Sequence, residues 1–177
     1  PDHLNSHNHI HAINEVFDMC CGLAMEYEIP FIRLPRERFY WSAPFSRHLR
    51  TWYPINTVKW ALLNTLARKN SVIAQRAGIK TNHSLFGILY TGNMSWETLT
   101  TPLRRKVTQG EIVEALLHPA VIDASTDEDF LKPALRDYIV NPARETERQA
   151  LKNPNLPAAL AQNGWTLTTY RDLEQRA

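Results

Sequence analysis

The stretch Ile29-Pro30-Phe31-Ile32-Arg33-Leu34-Pro35 decides the fold class. Its apolar side chains run on with only Arg33 between them, the mark of a strand covered on both faces in a parallel sheet, and Pro35 closes the run. Pro30 is admissible only because it stands near the beginning. Upstream, Val16, Phe17, Leu23 and Ala24 recur at helical spacing inside Ile13 to Tyr27, preceded by an extended run from Asp2 to His11. Downstream, Val58, Ala61, Leu62, Leu66, Val72 and Ile73 form the apolar stripe of a helix over Thr57 to Ala77, stopped by Gly78. Ile79 to Tyr90 contains a further strand, Ser95 caps a helix reaching Arg105, and Glu111 to Leu117 reads as another buried strand. Helices over Ala143 to Lys152 and Pro157 to Gln162, the latter stopped by Gly164, and a strand over Trp165 to Tyr170 close the chain. Alternating strands and helices argue for an α/β fold with a mainly parallel sheet, open or curled into a barrel.

The chain has 177 residues, 44% hydrophobic and 21% charged, which fits one globular domain over residues 1–177. With 20 Lys and Arg against 18 Asp and Glu the net charge is +2, too small for a surface that tracks nucleic-acid phosphates. No apolar run approaches the roughly 20 residues needed to span a bilayer. Cys20 and Cys21 are adjacent and have no other partner in the sequence, so a reducing, cytoplasmic setting is expected. The chain starts at Pro1 with an extended run already under way, so either an initiator Met was removed or a segment precedes it.

Two segments carry chemistry. In His3-Leu4-Asn5-Ser6-His7-Asn8-His9-Ile10-His11, a strand's period of two would point His3, Asn5, His7, His9 and His11 to one side, where imidazoles can converge on a cation. A surface His cluster or structural histidines on a sheet rim read equally well. In Glu114-Ala115-Leu116-Leu117-His118-Pro119, Glu114 and His118 share a face where a strand ends, at the edge on which α/β folds place their active sites, although His118 as a simple strand cap is the competing reading. Between Pro35 and Asn56, Arg36, Arg38, Arg47 and Arg50 interleave with Tyr40, Trp41, Trp52 and Tyr53. Flat aromatic faces stack on sugars, while the alternative is a packed aromatic core with arginines reaching solvent. Asp123 to Asn141 is the second long irregular connection.

The motifs His3-Leu4-Asn5-Ser6-His7, Phe31-Ile32-Arg33-Leu34-Pro35-Arg36, Ala77-Gly78-Ile79, Leu85-Phe86-Gly87 and Glu114-Ala115-Leu116-Leu117-His118-Pro119-Ala120 occur in the order seen in the YdjC-like carbohydrate deacetylases. The chain resembles the C-terminal portion of that family, and Leu85 to Met94 with Gly164-Trp165-Thr166-Leu167 resemble its subgroup linked to hopanoid biosynthesis. The resemblance implies an irregular β/α barrel, here lacking its first strands, that removes acetyl groups from N-acetylated sugars or sugar-bearing lipids with a divalent metal, Mg or Zn. By motif His7 is a metal ligand, His118 stands near the reaction centre with Glu114, and Arg33 meets substrate oxygen or an acidic partner. Tyr40 and Trp41 are the candidate sugar-stacking residues.

The family's acidic pair and an earlier metal-binding His have no counterpart here. Asp123, Asp127 and Asp129 lie in a late loop, and His83 is displaced by one position from the family's His. The same absence predicts no tightly bound ion in these residues alone. It also predicts a homo-oligomer or a complex with the missing N-terminal segment, because opened sheet edges need cover. The competing class is a non-catalytic barrel half that binds a sugar or another protein.

Overall fold

A computed structural model describes residues 1–42, 53–121, 137 and 140–175. Arg47, Arg50, Trp52, the side chain of Tyr53, and Asp123, Asp127 and Asp129 fall outside the described residues. The order of elements is β1 (His3–Leu4), a 3-10 turn (His7–Ala12), α1 (Asn14–Glu26), β2 (Phe31–Ile32), α2 (Tyr53–Arg76), β3 (Lys80–Thr81), β4 (Ser84–Phe86), α3 (Trp96–Thr100), a 3-10 turn (Thr101–Arg104), β5 (Val113–Ala115), α4 (Pro142–Lys152), α5 (Leu156–Ala161) and α6 (Tyr170–Gln175).

Every strand pairing is parallel. β1, β2 and β3 form one sheet in chain order, with Phe31 opposite both His3 and Lys80, and β4 pairs with β5 through Leu85 and Glu114. The two ladders are stitched together where Leu85 N–H donates to the carbonyl of Arg36 at 2.7 Å. Asn82, fully buried between β3 and β4, makes the seam: its Oδ1 accepts from Leu34 N–H at 2.6 Å, and its Nδ2 donates to the carbonyls of Leu34 at 2.9 Å and Ser84 at 3.1 Å. The side-chain amide thus supplies the pairing that the backbone cannot make where the strand breaks.

Three apolar clusters fill the interior. α1 and α2 cover the first sheet through Phe17, Cys21, Ala24, Ile32, Leu34, Ala67 and Ala74. Phe86, Leu89, Tyr90, Met94, Leu99 and Leu103 pack with Ala150 of α4, and Leu63, Leu85, Ile88 and Ala12 join the two groups. The parallel-strand reading of Phe31–Ile32, the long second helix and its stop at Gly78, whose φ is +71°, agree with the sequence expectation. Cys20 and Cys21 are both free thiols. No helix among the described residues is long and apolar enough to cross a membrane.

Two expectations need correction. Asp2 to His11 is not one strand: the ladder ends at Leu4, and the chain turns at Asn8 (φ 54°) and His9 (φ 59°), both left-handed. Asn tolerates that region through its short polar side chain, and a Ser6–His11 bond closes the turn. Trp165 to Tyr170 forms no ladder either: the Trp165 indole N–H donates to the carbonyls of Leu103 (3.0 Å) and Arg105 (3.2 Å), Leu167 is 86% exposed, and α6 starts at Tyr170.

Candidate active site

Because the chain turns after Leu4, the four histidines of its first segment go to three different places. His3 hydrogen-bonds Asp2 at 2.7 Å and stacks on Tyr170 with ring centroids 4.5 Å apart. His11 is buried with both ring nitrogens engaged: Nε2 faces the carbonyl of Arg33 at 2.9 Å and Nδ1 faces Ser6 Oγ at 2.7 Å. A carbonyl only accepts, so Nε2 carries the proton and Nδ1 accepts from the Ser6 hydroxyl, which in turn accepts from His11 N–H at 2.9 Å. Burial lowers the His11 pKa and keeps the ring neutral. The expected face of five side chains is therefore replaced by a turn in which His11 is the internal fastening.

His7 and His9 line a cavity of about 630 Å³, together with Asn5, Ser6, Asn8, Arg33, Lys59, Thr91, Leu116 and His118. His7 is exposed there, whereas His9 is buried with Nδ1 lacking a hydrogen-bond partner. Burial, then Lys59, His11, Arg33 and His118, pushes the His9 pKa down to about 4, so its ring is neutral near pH 7. His118 is likewise held below the usual histidine range, first by burial and then by Arg144, Lys59 and His7. Burial also lowers the pKa of Lys59. Among the described residues lining the cavity there is no carboxylate; Arg33, held by Glu114 from behind, and Lys59 are its basic groups, and both carry N–H donors suited to an oxygen that gains negative charge.

Arg33 is oriented from outside the cavity. Its Nε and Nη2 reach Glu114 Oε2 at 2.6 and 2.5 Å, and the Tyr170 hydroxyl donates to the other oxygen of Glu114. Glu114 thus holds Arg33 rather than facing the cavity, while Leu116 and His118, two and four residues on, line it. Tyr40 and Trp41 do not line this cavity. Tyr40 packs against Tyr90 (4.9 Å) and Phe86, beside a separate cavity of about 130 Å³, and Trp41 is 54% exposed against Phe39. His83 accepts from Ile112 N–H at 3.0 Å and does not line this cavity.

Lys59 and Thr91 entered the site without a sequence signal. Lys59 is one cation within a helix, and Thr91 follows a loop whose shape depends on Glu37: that buried carboxylate accepts from the N–H groups of Gly87 (2.6 Å), Ile88 (3.2 Å) and Leu89 (2.8 Å). Gly87 sits at φ +114°, and a Cβ there would collide with the carbonyl of Leu116. Backbone amides gathered on a carboxylate leave no trace in periodicity.

The family model described as YdjC-like protein matches residues 1–162. The chain belongs to the YdjC-like family. A chitooligosaccharide deacetylase of Proteus mirabilis (strain HI4320) is 25% identical over 174 residues, covering 98% of this chain and 53% of that protein. A carbohydrate deacetylase of Listeria monocytogenes serotype 4b (strain CLIP80459) is 24% identical over 135 residues, covering 71% of this chain and 51% of that protein. The chain therefore spans about half the length of these curated relatives. No solved structure matches it.

Within this YdjC-like chain, no group of three or more His, Cys, Asp or Glu side chains among the described residues could hold a metal ion. His7, His9 and His118 bring imidazole nitrogens to one cavity, which suits a borderline cation, but an ion there needs ligands beyond the described residues.

Proposed function

We propose that this chain is the C-terminal part of a metal-dependent carbohydrate deacetylase of irregular β/α-barrel architecture, acting on an N-acetylated sugar or a sugar-containing lipid. The observation that carries the reading is the convergence of His7, His118, Arg33 and Lys59 on one cavity, in a chain that belongs to the YdjC-like family. Parallel strands that follow chain order without reversal support a singly wound sheet of barrel type. The edge of β1 that pairs with no strand among the described residues is where further strands, or a second copy, would add. The free thiols fit a cytoplasmic setting. The hopanoid-linked subgroup remains part of this proposal on the Leu85–Met94 and Gly164–Leu167 motifs.

His7 is the ligand this chain gives to a divalent ion, Mg or Zn. What such an ion supplies when bound is Lewis acidity toward the acetamide carbonyl and a water of lowered pKa. Arg33 and Lys59 present N–H donors toward the carbonyl oxygen as it gains charge. As the oxygen of a water bonds to the acetyl carbon, His118, neutral at rest because of its lowered pKa, takes that water's proton and delivers it to the sugar nitrogen as the C–N bond breaks, leaving acetate and a free amine. Glu114 holds Arg33 in place, and Trp41 offers an exposed ring to a sugar outside the cavity, while Tyr40 packs against Tyr90 and Phe86.

A non-catalytic sugar-binding half is the second reading, favoured by the absence of a carboxylate among the described lining residues. Free amine released from N-acetylglucosamine oligomers by the full-length protein separates the two. The deacetylase reading expects turnover that falls by at least about a hundredfold in His7→Ala. Binding without turnover would favour the second reading, and equal rates would remove His7 from the site.

A further inference from the structure

His118 is a loop residue, beyond the end of β5 at Ala115, yet its backbone is gripped on both sides by α4. The His118 N–H donates to Glu147 Oε2, and the His118 carbonyl accepts from Arg144 Nη1 at 2.9 Å. Both side chains come from one face of α4, three residues apart, with Arg144 Nη2 and Glu147 Oε1 3.6 Å apart. Glu147 is fully buried and Arg144 is 4% exposed, an expensive place for two charges unless each has a defined partner. The Glu147 carboxylate also faces the turn that follows Thr91, where the N–H groups of Gly92 and Met94 favour its charged form. Thr91 and His118 both line the histidine cavity, and the carboxylate ties down the His118 side of it.

An apolar contact would have covered this surface more cheaply. The buried pair instead fixes the peptide plane of His118, and with it the direction in which the imidazole leaves the backbone. We propose that Arg144 and Glu147 are positioning residues for His118, setting the imidazole toward the sugar nitrogen while touching no substrate themselves. The inference rests on the proposed role of His118 as proton donor.

The test uses the full-length protein with N-acetylglucosamine oligomers. Glu147→Gln keeps size and one acceptor oxygen. Arg144→Lys keeps the charge and gives up the guanidinium bond to the His118 carbonyl. Each is expected to lower kcat about tenfold with KM within about twofold, since misplacing a catalytic group by a fraction of an ångström slows the bond-making step without weakening binding. In a His118→Ala background the same two substitutions should lower the residual rate no further, because there is no imidazole left to aim. Full kcat in a folded single variant, or an undiminished tenfold loss in the His118→Ala background, overturns the inference. A wild-type rate in His118→Ala overturns the proton-donor role itself, a result distinct from either failure of the clamp. Should Glu147→Gln not fold, Arg144→Lys and its combination with His118→Ala decide alone.

Discussion

Arg33 and Glu114, 81 residues apart in sequence, meet through two nitrogens on one carboxylate oxygen at 2.5 and 2.6 Å, and this ion pair fixes Arg33 in the wall of the histidine cavity. Both side chains are mostly buried, at 18% and 13% exposure, so neither charge has much water to fall back on. Glu114→Gln should destabilise the full-length protein by about 2 kcal/mol, because it leaves a guanidinium with a weaker partner. In a double-mutant cycle by urea denaturation, Arg33→Met with Glu114→Gln should cost clearly less than the two single losses added. Additive losses would mean that the pair does not couple.

Asn82 replaces backbone pairing at the break between β3 and β4. Removing its amide in Asn82→Ala orphans the N–H of Leu34 in the core, while the Leu34 carbonyl keeps its bond from Arg36 N–H, at a cost of about 2 kcal/mol. Asn82→Asp should do worse than a neutral isostere usually does, since the carbonyls of Leu34 and Ser84 would then face a carboxylate. Thermal unfolding of both variants checks this, and a change in Tm within error for Asn82→Ala would contradict it.

Glu37 makes stability depend on pH. Burial outweighs its backbone donors and raises its pKa from 4.5 to about 7. Between those values the unfolded chain releases the proton while the folded one keeps it, so stability falls as pH rises from about 4.5 to about 7, by up to about 3 kcal/mol for this group. Glu37→Gln keeps an acceptor and cannot ionise. The stability of wild type relative to Glu37→Gln, measured by denaturant titration at pH 5 and pH 8, should therefore drop toward the higher pH. A difference that is flat, or that grows in favour of wild type, would contradict the assignment.

How much of this was legible follows the range of the interactions. Phe31–Ile32 and the helices over 14–26 and 53–76 show in apolar spacing, whereas the helix over 142–152 reads as a polar one and buries Arg144 and Glu147 with Ala150. The turn at Asn8 and His9 was hidden: alternating His and Asn imitates a period of two, and what bends the chain is a Ser6–His11 bond that no pattern records. His7, Arg33 and His118 were picked out by motif and do meet at one cavity. Lys59, Thr91 and the Arg144–Glu147 grip were not, since each owes its place to a side chain meeting backbone many residues away.

The turn itself can be probed through His11, whose neutral ring bridges Ser6 and the Arg33 carbonyl. His11→Ala should destabilise the protein by about 2 to 3 kcal/mol, from a lost buried ring and unpaired polar groups. His11→Gln, with a donor and an acceptor on a chain of similar length, should recover part of that loss. Thermal denaturation ranks the three proteins, and His11→Ala at wild-type stability would show that the turn does not depend on this fastening.

We assign the departure of the acetyl group from the sugar nitrogen to the cavity holding His118. Acetate release from N-acetylglucosamine oligomers by the full-length protein tests it most directly when His118→Ala is run beside His83→Ala, a histidine outside the cavity. The expected kcat is about 10² to 10³ fold lower in His118→Ala and within about twofold of wild type in His83→Ala. Acetate release at the wild-type rate by His118→Ala would contradict it.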